Sequence, residues 1–238
     1  MKGIILAGGS GSRLSPLTKV TNKHLLAIYD KPMIFYPLNT LISANITEIM
    51  IVSGKWHAGH ILELLGDGSE FNVQLSYTIQ EKALGIAQAL SICKRFVNKE
   101  NIAVVLGDNV FENKFDFSDF REGARVYLKE VPDPERFGVA RIDNGRLMGI
   151  IEKPRNWPRG YGFAVTGLYL YDNTVFDKIS CLKFSNRGEL EITDLNNIYI
   201  TEKRMDYQII EGFWSDAGTI ESLYRASSFI RDKIIREK

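Results

Sequence analysis

The sequence predicts an α/β protein built on a doubly wound, mostly parallel mixed sheet with helices on both faces. Apolar runs with the length of buried strands alternate with segments of helical spacing through the first half of the chain, a rhythm typical of parallel sheets. The second half carries a strong hairpin signal, which adds antiparallel strands. The length of 238 residues suits one α/β domain.

Strands and helices are predicted in turn from the start of the chain. Met33, Leu38, Leu41 and Ile42 recur at helical spacing, and Pro37 then lies in the first turn of that helix. Apolar or alternating residues predict strands, and periodic segments predict helices, over these ranges: strands 4–7, 48–53, 73–80 and 102–106, and helices 32–45, 57–65 and 85–96.

The second half is less regular. Asp143-Asn144-Gly145 is a hairpin turn signal, and it predicts strands over 138–142 and 147–152. A further strand is predicted over 164–171, and helices over 189–201 and 222–235. Residues 110–136 show no readable pattern, and we predict a mobile excursion there.

Composition narrows the class of partner. Hydrophobic residues make up 45% and charged residues 25%, as in an ordinary globular protein, and the net charge is +1. The small net charge therefore gives no indication that the chain binds nucleic acid or a membrane surface, and any site for an anion must be local. Cys93 and Cys181 share no motif, so we expect free buried thiols in the cytoplasm. No targeting or membrane-spanning segment is expected.

A glycine-rich loop directly after the first strand is the most informative segment. Gly8, Gly9 and Gly11 let a ligand approach the main chain closely, and successive amides there can point to one anion. Arg13 and Lys23 add two cations, which makes the segment a candidate phosphate-binding loop. The dinucleotide fingerprint fails because Leu14 replaces its third glycine, and no Walker Gly-Lys-Ser or Gly-Lys-Thr occurs in the chain.

The remaining pattern resembles the signature of sugar-1-phosphate nucleotidylyltransferases. Gly8 to Thr18 reads G-G-x-G-[ST]-R-L-x-P-x-T, and Lys23 follows. The continuation to Ile34 is most similar to the glucose-1-phosphate thymidylyltransferase branch, with Ala27 in place of a usual proline. The resemblance implies a Rossmann-like fold with a small part, containing the hairpin, that binds the sugar.

The resemblance also implies a group of residues for the nucleoside triphosphate and Mg²⁺. Arg13 and Lys23 would grip the β- and γ-phosphates, and Asp108 and Asp216 would be the metal ligands. The implied nucleotide-binding residues are Leu6, Ala7, Gly8, Gly9, Gly11, Ser12, Arg13, Gln80, Gly85 and Asp108. Ala217 departs from the family's usual threonine. Ala83-Leu84 before Gly85 departs from the thymidylyltransferase form, and this difference bears on the choice of base. By itself, Asp108 is equally consistent with an Asp-Asn turn.

A second implied group binds the sugar phosphate. Lys153 and Arg187 would hold the phosphate, Glu152 would accept hydrogen bonds from sugar hydroxyls, and Gly138 would let the main chain reach the sugar. The full set is Gly138, Glu152, Lys153, Val165, Tyr169 and Arg187, and the implied catalytic residues are Arg13, Lys23 and Lys153. The attacking phosphate oxygen is already ionised at neutral pH, so catalysis rests on positioning and charge neutralisation.

The expected reaction transfers a nucleotidyl group from dTTP to α-D-glucose 1-phosphate, giving dTDP-glucose and pyrophosphate, the first step of dTDP-sugar synthesis of the dTDP-rhamnose type. UTP or another sugar 1-phosphate is the alternative within the family. A regulatory protein that binds nucleotide sugars without catalysis is the alternative from another class. We expect one domain over 1–238: mainly nucleotide-binding over 1–108, mainly sugar-phosphate-binding over 137–219, and a C-terminal helix over 220–238. A homo-oligomer is compatible with the sequence.

Overall fold

The computed structural model describes residues 1–158 and 160–237, and the chain divides into two compact units. The first, which we call the loop unit, contains Lys2–Ala83, Val105–Phe117 and the residues from Gly212 onward. The second, the hairpin unit, contains Met1, Leu84–Val104 and Ser118–Glu211.

Strands and helices alternate along the described residues. The strands are β1 (Lys2–Ala7), β2 (Ala27–Ile28), β3 (Lys31–Pro32), β4 (Glu48–Gly54), β5 (Gln74–Gln80), β6 (Ile102–Leu106), β7 (Asn109–Phe111), β8 (Ala124–Val131), β9 (Gly138–Asp143), β10 (Arg146–Glu152), β11 (Gly162–Tyr171), β12 (Met205–Ile209) and β13 (Trp214–Asp216). The α-helices are α1 (Phe35–Ser43), α2 (Ala58–Leu65), α3 (Ile86–Ser91), α4 (Lys94–Val97), α5 (Val175–Ser180), α6 (Ile192–Thr201) and α7 (Ile220–Arg236).

The loop unit contains a parallel sheet in the order β1-β4-β5. Ile5 lies opposite Ile51, and Ile51 lies opposite Tyr77. The apolar side chains of β1 and β4 are almost wholly buried, because parallel strands need cover on both faces. Because the strands are parallel, their carboxyl ends lie at one edge, where the glycine loop follows β1 and where β4 and β5 end at Gly54 and Gln80.

Helix α7 packs on a small apolar cluster in the same unit. Thr219 caps its start through a capping box with Ser222, in which each side chain bonds the other residue's main-chain N–H. The buried Ala226 belongs to a cluster with Ile28, Met33, Val110 and Ala217. Helix α7 therefore packs against Ala217, directly after Asp216.

The hairpin unit contains a mixed sheet with the neighbours β12-β8-β11-β9-β10. Asn144 and Gly145 both have positive φ, 47° and 74°, as a two-residue hairpin turn requires. Asn197 of α6 bonds both the N–H and the carbonyl of Ile150 (2.9 Å each) and so fixes the helix to β10. Parallel and antiparallel strands with helices confirm the predicted fold class, a mixed α/β sheet.

Three local predictions need correction. The helix predicted over 32–45 starts only at Phe35, because Pro32 pairs with Ala27 in the short β2–β3 ladder. The helix predicted over 85–96 is split into α3 and α4. The Ser91 hydroxyl donates to the Gln88 carbonyl (2.7 Å), the acceptor that the next amide would use in a continuous α-helix.

The third correction concerns residues 110–136. The predicted mobile excursion is wrong, because this segment contains most of β7 and all of β8, which pairs with β11 and β12. Arg125 in β8 is only 7% exposed and forms a two-bonded ion pair with Asp119 (2.9 Å each) and a bond to Asp206 (2.8 Å). A charged residue inside a buried strand hides the apolar pattern that sequence reading depends on. Among the described helices, none has both the length and the apolar character needed to cross a bilayer.

Candidate active site

The glycine loop of the loop unit folds tightly around Lys23. Gly11 has a φ of 67°, and a Cβ there would lie 3.0 Å from Cβ of Lys23. A Cβ at Gly9 would lie 3.3 Å from Cε of the same lysine. Thr18, the last residue of the motif, donates its hydroxyl to the Gly11 carbonyl (2.9 Å). The glycines therefore make room for a lysine side chain that lies along the loop.

Lys23 leads directly to Asp108. Its Nζ is 2.5 Å from Asp108 Oδ2, and the two side chains are 13% and 11% exposed. Asn109 donates to the other carboxylate oxygen (3.0 Å) and accepts from the Trp214 indole (2.7 Å). Burial alone would raise the pKa of Asp108, but Lys23, His24 and the two donated hydrogen bonds hold it well below its usual range. Asp108 is therefore an ionised, firmly oriented carboxylate.

His24 is a buried neutral imidazole behind this pair. The Asn22 amide oxygen accepts from the His24 main-chain N–H (2.9 Å) and lies 2.6 Å from Nδ1, so Nδ1 carries the ring proton. Burial, reinforced by Lys23 and partly opposed by Asp108, lowers the pKa of His24 to about 3. A Cβ at Gly107 would lie within 2.8 Å of the imidazole, so the residue before Asp108 has to be glycine.

Asp216 is brought to Asp108 by strand pairing. β13 pairs antiparallel with β7, which sets Asp216 opposite Asn109, and the Ala217 N–H donates to the Asp108 carbonyl (2.7 Å). Gly218 marks the point of convergence: a Cβ there would lie 3.0 Å from Arg13 Nη2, 3.3 Å from Asp108 Oδ2 and 3.6 Å from Asp216 Oδ2. One cation and two carboxylates thus surround a single small space.

This carboxylate pair fits a hard cation. Both aspartates are less than a tenth exposed, and each directs an oxygen at the space beside Gly218. Mg²⁺ is commonly held by one or two carboxylates, with water and substrate phosphates completing its shell. Among the described residues no group of three or more His, Cys, Asp or Glu side chains is placed to hold a metal, so this site would depend on substrate oxygens.

Gln80 lies against the start of the loop. It ends β5 opposite Gly54 of β4, is 6% exposed, and its Oε1 is 2.5 Å from where a Gly8 Cβ would stand. A carboxamide can offer a donor and an acceptor to a base edge. Gly85, which the sequence pairs with it, belongs to the hairpin unit, with a φ of 102° and Leu190 packed against its α-carbon.

The hairpin unit holds the second predicted group around Glu152. Thr193 donates to Glu152 Oε2 (2.5 Å), while Arg187 (3.2 Å) and Lys153 (3.1 Å) approach Oε1. Burial would raise the pKa of Glu152, but the Thr193 hydrogen bond and the charges of Lys153 and Arg187 lower it. A Cβ at Gly138 would lie 3.4 Å from Glu152 Oε2, since β9 and β10 set these residues opposite each other.

Two cations of this group are held in distinct ways. Arg187 bonds both oxygens of Glu191 (3.1 and 2.8 Å), which raises its pKa. Lys153 has a φ of 43° and donates its N–H to the Phe137 carbonyl (2.9 Å). A positive φ in a lysine costs free energy, on the order of 1–3 kcal/mol, and such backbone strain is concentrated at functional sites.

The remaining predicted positions lie on β1, after the glycine loop and on β11. Val165 and Tyr169 are both on β11, and Tyr169 is 3% exposed and stacks on Tyr171 with ring centroids 6.0 Å apart. Leu6 and Ala7 are buried in β1, and the Leu6 carbonyl accepts from the Gly107 N–H (2.9 Å). Ser12 opens the 3₁₀ turn after Gly11. Cys181 is exposed, which corrects the expectation of two buried thiols.

Known proteins resemble the chain over nearly its whole length. A family model described as Nucleotidyl transferase matches residues 2–233. A Neisseria meningitidis serogroup A protein named glucose-1-phosphate thymidylyltransferase is 45% identical over 240 residues, which cover 97% of this chain and 83% of that protein.

Two solved structures also resemble the chain over nearly its whole length. A Bacillus anthracis protein, assigned as a glucose-1-phosphate thymidylyltransferase and crystallised with sucrose, superposes with a TM-score of 0.92 at 51% identity, covering 98% of this chain and 96% of that one. A UDP-glucose pyrophosphorylase bound to UDP-glucose superposes with a TM-score of 0.84 at 24% identity over 98% of both chains. That second likeness concerns the fold alone.

Proposed function

Because the chain belongs to the Nucleotidyl transferase family, we propose that it transfers a nucleotidyl group from dTTP to α-D-glucose 1-phosphate, with Mg²⁺. The products are dTDP-glucose and pyrophosphate, which places the reaction at the start of dTDP-sugar synthesis of the dTDP-rhamnose type. The relatives named glucose-1-phosphate thymidylyltransferase favour thymine and glucose.

The convergence of Arg13, Asp108 and Asp216 on the space beside Gly218 is the observation that carries this proposal. Asp108 and Asp216 would hold Mg²⁺, which supplies Lewis-acid charge to the triphosphate when bound. Arg13 and Lys23 bind the β- and γ-phosphates, so charge that moves onto departing pyrophosphate meets fixed cations. The glycine loop lets the main chain contact the phosphates, and the Gln80 carboxamide reads the base.

The Glu152 group serves the second substrate in this proposal. Lys153 and Arg187 bind the phosphate of the sugar 1-phosphate, and Glu152 accepts hydrogen bonds from sugar hydroxyls. Thr193 holds Glu152 in place through its short hydrogen bond. No residue needs to remove a proton, because the phosphate oxygen that attacks the α-phosphorus is already ionised.

Two free cysteines suit a reducing compartment, so we place the protein in the cytoplasm. The substrate assignment is tested by pyrophosphate release from each of dTTP and UTP with several sugar 1-phosphates and Mg²⁺. The fastest release is expected with dTTP and glucose 1-phosphate. Turnover with UTP but not dTTP would overturn the base assignment, and no turnover with any pair would favour a non-catalytic nucleotide-sugar binder.

A further inference from the structure

Two buried hydrogen bonds in series link Trp214 to Asp108, and they have no part in the reaction steps proposed above. The Trp214 indole Nε1 donates to Asn109 Oδ1 (2.7 Å), and Asn109 Nδ2 donates to Asp108 Oδ1 (3.0 Å). Trp214 and Asn109 are 7% and 2% exposed, so these bonds are shielded from water. We call this series of bonds the indole relay.

The chemistry of the three groups fixes the direction of the relay. An indole N–H donates a hydrogen bond and cannot accept one, so the oxygen of the Asn109 amide has to face Trp214. The amide NH₂ then faces Asp108, whose ionised carboxylate only accepts. Without the indole, no bond of this series would decide which end of the amide faces the carboxylate.

The relay also directs one carboxylate oxygen toward the proposed metal site. Asn109 occupies Oδ1 of Asp108, whereas Oδ2 is the oxygen 3.3 Å from where a Gly218 Cβ would stand. Lys23 bonds the same Oδ2, and a carboxylate oxygen has two lone pairs, so one lone pair remains for a cation. Rotation of the carboxylate would turn Oδ2 away from this space, and the bond from Asn109 opposes that rotation.

Trp214 connects this orientation to the second aspartate. It lies two residues before Asp216 on β13, so the two side chains share one face of the strand. β13 pairs with β7 and sets Asp216 opposite Asn109. The indole therefore reaches Asn109 diagonally across the strand pair, a span that long side chains can bridge. One side chain thus joins the strand of one aspartate to the group that orients the other.

We propose that Trp214 is a positioning residue for the metal site. Through Asn109 it fixes the orientation of Asp108, and through β13 it ties that orientation to Asp216. This inference rests on the proposed function, because it takes the two aspartates as the ligands of Mg²⁺. Removing a group that orients a metal ligand typically lowers metal affinity about 10- to 100-fold. Trp214 acts through one further bond, so we expect the lower end of that range.

Binding of Mn²⁺ tests the relay without turnover. Mn²⁺ favours the same oxygen ligands as Mg²⁺, and its free concentration is read by electron paramagnetic resonance. The titration uses the full chain with a saturating dTTP analogue that carries a methylene group between the α- and β-phosphorus. Trp214→Phe, which deletes the N–H, should raise the dissociation constant about tenfold. Benzothienylalanine at position 214 keeps the two-ring shape and lacks the donor, and it should give the same rise.

A double change separates the relay from independent structural effects. Asn109→Ala should also raise the dissociation constant about tenfold. Trp214→Phe should then add less than about twofold in that background, because the relay is already broken. Trp56→Phe, at an exposed tryptophan of the same unit, is the matched control and should keep the constant of the unchanged protein. Denaturant unfolding checks that each variant is folded, and benzothienylalanine replaces Trp214→Phe if that variant is not.

The outcomes distinguish the relay from the proposed function. Equal Mn²⁺ affinity in the unchanged protein and in the benzothienylalanine protein would overturn the positioning role and leave the proposed function standing. Effects of the two changes that multiply fully would overturn it as well. If the unchanged protein bound no Mn²⁺ with the analogue, the proposed metal site would fail, and the positioning role would fail with it.

Discussion

Changing Asp108 to Asn should remove most turnover while the chain stays folded. The substitution keeps the size and shape of the side chain and deletes its charge. It therefore weakens the proposed metal site beside Gly218 and leaves the Lys23 ammonium without its carboxylate partner, now 2.5 Å away.

The structural cost can be set against ordinary stability. Breaking a buried ion pair by removing one partner typically costs about 3–5 kcal/mol. The amide oxygen of Asn can still accept from Lys23, so we place the loss in unfolding free energy at about 3 kcal/mol. Domains are commonly stable by about 5–15 kcal/mol, so the variant should remain folded. Loss of one preorganised charged group at a reacting centre costs roughly 10²–10³ in rate.

Pyrophosphate release at saturating dTTP and glucose 1-phosphate, titrated with Mg²⁺, measures the catalytic effect, and denaturant unfolding measures the structural one. Asp143→Asn, at an exposed hairpin position, is the matched control. It should change the rate by less than about twofold and the free energy of unfolding by less than about 0.5 kcal/mol. Unchanged kinetics in the Asp108→Asn variant would refute the role of this carboxylate. An unfolded variant would refute the stability argument.

Three further outcomes follow from the geometry. The depressed pKa of His24, about 3, means that the unfolded chain binds a proton more readily below pH 6.5. Unfolding free energy should therefore fall by about 1.4 kcal/mol per pH unit from pH 6.5 toward 4, and His24→Gln should flatten this part of the profile; an equal slope in both proteins would contradict the argument. Gly218→Ala should lower kcat by a factor of about 10² because its Cβ enters the site. Gly59→Ala, whose Cβ meets nothing within 4 Å, should keep full activity, and equal activity of the two variants would refute the argument that a Cβ at position 218 crowds the site. Thr193→Val should raise the KM for the sugar phosphate about tenfold through loss of the bond to Glu152 and leave the nucleotide KM alone; a parallel rise in both would argue for general damage.

The regular part of the fold was predictable because local sequence patterns decided it. Strands β1, β4 and β6 are apolar runs and β5 alternates polar and apolar residues, and the hairpin turn carries residues that suit a positive φ. The boundaries match closely in these places. Where side chains compete with the main chain, as Ser91 does in the break between α3 and α4, periodicity alone gave the wrong length.

Contacts between residues far apart in the chain could not be predicted from local sequence patterns. The burial of β8 depends on Asp119 and Asp206 neutralising Arg125, and Asp206 is 81 residues away from that arginine. Asp216 approaches Asp108 because β13 pairs with β7, a contact that no local pattern reports. The resemblance supplied both aspartates, but not the strand pairing that joins them.

The supporting residues around the site were also beyond the sequence. His24, Gly107 and Gly218 lie inside segments that carry the resemblance, but their roles emerge only from how closely their neighbours approach. Asn22 and Asn109 could have been suspected as polar residues beside motif positions. Their partners, an imidazole and an indole, required coordinates.

Following isotope from the triphosphate tests the central claim most directly. The chain is incubated with Mg²⁺, glucose 1-phosphate and dTTP labelled at either the α- or the γ-phosphorus. Nucleotidyl transfer predicts that the α-label appears in dTDP-glucose and the γ-label in pyrophosphate, in equal amounts and only when the sugar phosphate is present. Label in inorganic phosphate, γ-label on the sugar, or no sugar-phosphate dependence would contradict the proposed reaction.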